Sequence, residues 1–236
     1  DTSKLTQSDA SEVVLWEFTE SDDSYPTDSS GLPLIRPAPD SDQRQDLEGQ
    51  PIRDLGYSFS IPTIAMSNVV DSDGEQEWVS MFGNGLNSTS GIAKLFVLFI
   101  DRGIDGDWCH PDKIHNQTLN TTPLPAGCAP TDQDFVKIDT GFGVDPDSGF
   151  PNGLSGVRDV DIDANGTLDY AYAGDTFGNL FRFDLTSSNF DDWSVTKIFE
   201  AKYEDSVGNV TQQPITTRPI VTRVLGNESI IVLFGT

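Results

Sequence analysis

Basic residues, histidine, cysteine and long apolar runs are all scarce in this chain, and each scarcity removes a class of function. Lysine and arginine number 14 against 38 aspartates and glutamates in 236 residues, a formal net charge of −24. Such a surface repels nucleic acid and anionic membrane and gathers cations within about 8–10 Å at physiological salt. Its natural small partner is a metal ion. No window approaches the roughly 20 apolar residues of a membrane-spanning helix. Asp1 to Ala10 lack the basic-then-apolar order of a secretory signal. The chain opens on a polar stretch and stops after the apolar run from Ile230 to Phe234, so both ends are expected to be cuts in a longer chain, with room for an export signal upstream.

Signatures of catalysis are also missing. There is no G-x-S-x-G elbow, P-loop or H-E-x-x-H, and Gly141-Phe142-Gly143 lacks the third glycine of a dinucleotide fingerprint. With so many carboxylates some pair always falls at glycosidase spacing, which makes that reading unspecific. The two histidines, His110 and His115, share one polar loop where solvent exposure is the default. The chain is therefore read as a non-enzyme.

The two cysteines, Cys109 and Cys128, bracket a stretch rich in Asn, Thr and Pro, poor surroundings for packed thiols. A disulfide there would close a loop of about 20 residues and contribute about 3 kcal/mol by chain entropy. It would point to an oxidising compartment; two unpaired cysteines are the alternative.

What is present is 36% hydrophobic and 10% aromatic residues, enough for a packed core. No stretch keeps a helical i, i+3, i+4, i+7 pattern for three turns, whereas short aromatic and β-branched runs recur between Gly, Asn, Asp and Pro. The expectation is an all-β fold, with strands at Val13–Phe18, Ser58–Ala65, Glu77–Phe82, Lys94–Ile100, Val157–Asp161, Leu168–Ala173, Leu180–Leu185, Val195–Ala201, Thr217–Val224 and Ile230–Phe234. Strand pairs around glycine turns repeat: EWVSMFGNG then AKLFVLFI, LDYAYAGDTFGNL then FRFDL, and finally ESIIVLFGT. Repeating hairpins of this kind suggest propeller blades, and the length suits a partial β-propeller spanning 1–236. Asp22 to Asp54 and residues 101–151 read as long loops, the second an insertion closed by the cysteines.

The most informative stretch runs from Asp161 to Asp169. Asp161, Asp163 and Asn165 stand at positions 1, 3 and 5, Gly166 at 6 permits a sharp turn, Thr167 at 7 offers a backbone carbonyl, and Asp169 closes at 9. Calcium takes six to eight hard oxygens, and alternating Asp and Asn side chains on a tight loop aim theirs at one point. Ile162 and Leu168 are placed to pin the loop to the core. The loop follows an EF-hand through position 7 but closes early, and its flanks VRDV and LDYAYAG read as strands, so a calcium loop within a β-hairpin is expected. An acidic surface turn is the plain alternative. Magnesium prefers a stricter octahedron, and zinc would want His or Cys close by.

Other features carry less. Asp71 to Glu77 reads as a solvated hairpin turn, and Asp101, Asp105, Asp107, Asp145 and Asp147 as surface acids. Trp16, Trp78, Trp108 and Trp193 suit blade packing. Six N-x-S/T sequons, at Asn87, Asn116, Asn120, Asn165, Asn209 and Asn227, follow from the Ser and Thr content.

Four segments carry a family likeness: DLGYSFSIPTIA from Asp54, FGNGLNS from Phe82, NGLSGVRDVDIDANGTLDYAYAGDTFGNLFRFDL from Asn152, and QPITTRPIV from Gln213. They resemble the C-terminal propeller of the PilY1/PilC family of type IV pilus proteins; residues 101–151 show no family motif. The resemblance implies a modified, quinoprotein-like propeller, exported to the outer membrane, periplasm, cell surface or pilus tip. It also implies support of pilus assembly, antagonism of retraction, adhesion and twitching motility. The implied partners are pilins, with host-cell or surface receptors reached through an N-terminal region not in this chain. The family's loop D-x-D-x-[ND]-x-x-x-D falls on Asp161, Asp163, Asn165 and Asp169, and the implied cofactor is Ca2+. A calcium-dependent quinoprotein dehydrogenase, or a structural surface propeller, is the competing reading.

Overall fold

A computed structural model describes residues 18, 54–104, 108–109, 133–146, 148–224 and 229–236. Eight strands form two antiparallel sheets in sequence order. The first holds β1 (Thr63–Val70), β2 (Gln76–Gly83), β3 (Lys94–Phe99) and β4 (Phe135–Asp139). The second holds β5 (Arg158–Val160), β6 (Tyr170–Gly174), β7 (Asn179–Asp184) and β8 (Ser194–Glu200). Each is an up-and-down blade.

The alternation of side chains along a strand decides how the blades stack. In β3, Leu95, Val97 and Phe99 face a core shared with Ala171, Ala173, Phe181 and Phe183 of the second blade, while Phe96 and Leu98 face an aromatic cluster with Phe82, Trp108 and Phe135. Phe18 seals that cluster, with its ring 5.1 Å from Phe135 and 5.5 Å from Trp108. Close backbone approach accompanies this packing. A β-carbon on Gly83, at the end of β2, would lie 2.2 Å from the carbonyl oxygen of Ser155.

Two hairpins follow, β9 (Lys202–Glu204) with β10 (Val210–Gln212), and β11 (Ile220–Arg223) with β12 (Ile230–Leu233). β5 touches β1 on one side and β11 on the other, and β4 touches β8. First strand therefore lies against first strand and last against last, which puts β11–β12 in the place of the first two strands of a third blade. A polar clasp joins all three: Thr63 Oγ1 donates to Asp159 Oδ1 at 3.0 Å, and Arg218 Nη2 lies 3.0 Å from both oxygens. Among the described residues the sheets do not close into a ring. The fold is the all-β, partial β-propeller that the sequence suggests.

Several expectations are corrected in detail. β1 starts at Thr63, not Ser58, because Pro62 has no N–H for the ladder. It runs on to Val70, where Asp71 Oδ1 accepts from the N–H groups of Asp73 and Glu75 and turns the chain. The stretch 101–151, read as a loop, contains β4, whose Phe135 and Ile138 pack inward. β9 and β10 are fully exposed and had no apolar pattern to reveal them. Trp108 and Trp193 are buried, but Trp78 is 48% exposed and packs no blade interior. Val13 to Glu17, Trp16, residues 22–53, Asp105, Asp107, His110, His115, Asn116, Asn120, Cys128, Asp147 and Asn227 lie outside the described residues.

Candidate metal centre

The acidic loop joins β5 to β6, whose pairing sets Val160 against Tyr170 and Arg158 against Tyr172. It thus sits inside a β-hairpin, as its flanks predict. Carboxylate oxygens of Asp161, Asp163 and Asp169 all lie within 4.8 Å of one another. Asp161 and Asp163 are exposed and Asp169 is buried, so the cluster opens to solvent on one side and rests on the core on the other.

Backbone amides shape the loop from within. Asp161 Oδ1 accepts from Ala164 N at 2.7 Å and Oδ2 from Gly166 N at 2.8 Å, while Asp169 Oδ2 accepts from Ile162 N at 2.7 Å. Asp163 Oδ1 accepts from Asn165 N at 3.1 Å. These bonds require a tightly wound chain, with Ala164 at φ +62 and Gly166 at φ +95. Glycine takes that conformation freely; Ala164 takes it at a steric cost. Asn165 Oδ1 is turned to Thr167, accepting from its N–H at 2.7 Å and lying 2.6 Å from its hydroxyl.

The donor set fits a hard divalent cation. Each carboxylate oxygen has a lone pair beyond the amide bond it accepts, the ligand atoms are all oxygen, and three negative charges converge without a basic side chain among them. Asp161, Asp163 and Asp169 would hold the ion; Asn165 and Thr167 complete the ring of loop positions but are bonded here to each other.

The loop is attached to the fold by Leu168 and Ile162, as the sequence suggests, and by a residue the sequence pattern did not single out. Leu168 is in the core, Ile162 is half-buried, and Leu168 N donates to Met66 O at 2.8 Å, so the loop leans on β1 of the first blade. Asn68 completes the contact: its Nδ2 donates to the carbonyls of Leu168 at 2.7 Å and Leu185 at 3.2 Å, and its Oδ1 lies 2.8 Å from Thr167 Oγ1. An asparagine in the middle of an apolar strand is the signal that could have found it.

Two buried polar knots account for other motif residues. Asp175, wholly buried in the turn from β6 to β7, accepts from Phe177 N, Asn179 N, Asn179 Nδ2 and Asn152 Nδ2. Burial pushes its carboxyl above the usual range against those hydrogen bonds. Asn84, equally buried, donates to the carbonyls of Asp54 and Ile92 and accepts from the N–H groups of Lys94 and Leu154. Cys109 is 3% exposed beneath Asp134, whose Oδ2 accepts from its N–H. Its expected partner Cys128 lies outside the described residues.

Four-stranded antiparallel blades stacked face to face, with an acidic loop in one hairpin, define a β-propeller protein. The family model described as the PilY1 beta-propeller domain matches residues 137–236. PilY1 of Pseudomonas aeruginosa strain PAO1, a type IV pilus biogenesis factor, is 30% identical over 201 residues, covering 78% of this chain and 14% of the relative. A PilY1 homolog of Xylella fastidiosa is 29% identical over 161 residues, covering 66% of this chain and 8% of the relative. The crystal structure of the P. aeruginosa PilY1 C-terminal domain aligns with a TM-score of 0.49 at 29% identity, over 78% of this chain and 33% of that one. The chain belongs to the PilY1 family. It spans only a small part of the length of these curated relatives.

Proposed function

We propose that this chain is the calcium-binding propeller region of a type IV pilus biogenesis factor, one that supports pilus assembly, antagonises retraction and contributes to adhesion and twitching motility. The observation that carries the metal part is the convergence of Asp161, Asp163 and Asp169 on one point of a loop braced by both blades. The relatives named as pilus biogenesis factors support the rest. Calcium supplies a compact divalent charge that neutralises the loop. The side chains of Asp161, Asp163 and Asp169 bind it, Asn68 and Leu168 fix the loop's base, and Ala164 and Gly166 set its curvature.

The same reading places the protein outside the cytoplasm, at the cell surface, pilus tip, outer membrane or periplasm, with pilins as partners and a Cys109–Cys128 disulfide formed there. Surface or host receptors would be met by other regions of a longer protein. Among the described residues no helix is long and apolar enough to cross a membrane.

Titration calorimetry of the chain beside Asp161→Ala and Asp169→Ala, with magnesium as control, tests the metal reading. One calcium-selective site in the parent, lost in both variants, is the expected result. A folded parent that takes up no calcium reduces the loop to an acidic turn. For the pilus role, surface pili are counted in cells carrying Asp169→Ala in the full-length protein; an unchanged count removes the regulatory idea.

A further inference from the structure

Most lysines and arginines among the described residues hold a carboxylate. Lys94 and Lys137 pair with Asp54, Arg102 with Glu77, Lys197 and Lys202 with Glu200, and Arg218 with Asp159. Arg158, Arg182 and Arg223 pair with none among the described residues, in a chain where acids outnumber bases 38 to 14. Arg223 is exposed, where water serves it. Arg158 and Arg182 are half-buried, and the Nε atom of each is buried without a hydrogen-bond partner. An orphaned buried donor costs free energy that an acceptor would restore.

Strand register brings these two arginines into one row. Arg158 on β5 stands directly opposite Tyr172 on β6, and Tyr172 directly opposite Arg182 on β7. Directly opposed residues share one face of a sheet. Ala171, Ala173, Phe181 and Phe183 occupy the other face and fill the core shared with the first blade, so the row faces away from that blade. β11 touches β5 at the Arg158 end of the row, whereas Thr196, opposite Arg182 on β8, is exposed. Tyr172 is 3% exposed, and burial pushes its phenol above the usual range against the charge of Arg182, so the hydroxyl remains a donor at neutral pH. Arg182 Cζ lies over the Tyr170 ring, 5.2 Å from its centre, and a guanidinium seated on a ring keeps its edge for an in-plane acceptor. Asp184 shares this face, but it stands opposite Tyr170, and its Oδ1 is taken by the N–H and hydroxyl of Thr186.

We infer that Arg158, Tyr172 and Arg182 form a carboxylate-binding site on the outward face of the second blade, open at its β8 side. The two oxygens of a carboxylate match the in-plane N–H groups of a guanidinium, and the Tyr172 hydroxyl adds a donor between two positive charges. Val160 and Tyr170, opposite one another on the same face, offer the carbon body of an organic acid an apolar wall that a hydrated inorganic anion does not use. This chemistry has two sources, a free small carboxylic acid or the Asp or Glu side chain of a polypeptide segment. None of the three residues belongs to the acidic loop, so the site stands apart from the calcium reading.

The arginine Nε–H signals in 1H–15N spectra test the site on the intact folded chain, in calcium-free buffer at an ionic strength held constant with sodium chloride. Glutarate and poly-L-glutamate are the probes, and inorganic phosphate is the control. The signals of Arg158 and Arg182, each assigned by its absence from Arg158→Gln or Arg182→Gln, are expected to move saturably while that of Arg223 stays still. Either substitution should weaken the response of the remaining arginine about tenfold, and Tyr172→Phe, which keeps the ring, by a smaller factor. Should Arg182→Gln fail to fold, Arg182→Lys, which keeps the charge and loses the fork, takes its place. A response to glutarate marks a free acid as sufficient and a response to poly-L-glutamate alone marks a polypeptide side chain; both support the site. No saturable movement, equal movement at Arg223, an equal response to phosphate, or an Arg182 variant in which Arg158 titrates as in the parent overturns the inference.

Discussion

Asn68 donates through its side chain to the main-chain carbonyl of Leu168 at 2.7 Å, fastening the acidic loop of the second blade to the first strand of the first. It also reaches Leu185 O and Thr167 Oγ1, so one short side chain serves three partners more than 90 residues away. Asn68→Ala leaves two carbonyls and a hydroxyl without that partner and is expected to cost about 2–3 kcal/mol. Calcium affinity should fall on the order of tenfold, equivalent to about 1.4 kcal/mol. Urea unfolding and calorimetry measure the two effects. A variant with parental midpoint and affinity would show that the loop needs no anchor in the first blade.

Asp54 is 1% exposed between two lysines, with Lys94 Nζ and Lys137 Nζ each 2.8 Å from one of its carboxylate oxygens. Burial opposes its ionisation, but the two ammonium groups outweigh that and hold the carboxyl well below the usual range. A depressed folded value means that the stabilisation is present above the ordinary aspartate range and is lost as pH falls through the lower, folded value. The parent should therefore lose stability below about pH 4, where the unfolded aspartate takes up its proton first. Asp54→Asn removes the charge that both half-buried lysines face, although Lys94 keeps Asp139 at 3.5 Å, and is expected to cost about 3 kcal/mol at neutral pH, with a flatter acid dependence. Thermal unfolding across pH checks both; parallel parent and variant curves would sink the assignment.

Legibility in the sequence followed burial. β2, β3, β6 and β7 carry the chain's densest apolar and aromatic residues and are mostly buried, and the sequence placed them to within two residues at either end. β3, apolar and buried along both faces after Lys94, reflects packing against the second blade on one side and the aromatic cluster on the other. β9 and β10 expose every residue, and β4 is a five-residue strand following a long polar stretch, so neither left a pattern to read. The acidic loop was readable because its residues are neighbours in the chain. Asn68, Asn84 and Asp54 were not, because their roles depend on partners brought close only by blade packing.

Cys109 is buried at the edge of the aromatic cluster, beside Trp108 and below Asp134. With Cys128 as its partner, the bridge closes the segment between β3 and β4. Non-reducing peptide mapping should recover one cross-linked peptide pair, and reduction should lower stability by about 3 kcal/mol by loop entropy. The loss should be felt at Trp108 and Phe135, which a near-ultraviolet circular dichroism spectrum reports. Recovery of both peptides uncrosslinked from protein purified under oxidising conditions removes the bridge.

Calcium acts, in the proposed reading, on one hairpin and not on the whole fold. The loop bears on β5, a strand of three residues, and on β6, while the shared core is built from Phe99, Phe181, Phe183 and their neighbours and does not involve the carboxylates. Calcium at a hundredfold excess over its dissociation constant adds about 2.7 kcal/mol by mass action. Chelation should therefore leave the blades folded and raise amide exchange selectively at Arg158–Val160 and Tyr170–Gly174, with Leu168 N included because its bond to Met66 O crosses between blades. Hydrogen exchange with and without chelator measures this directly. Uniform protection in both states would separate the loop from the hairpin mechanically, and a collapse of protection throughout β2, β3 and β7 would make calcium a condition of folding for the entire pair of blades.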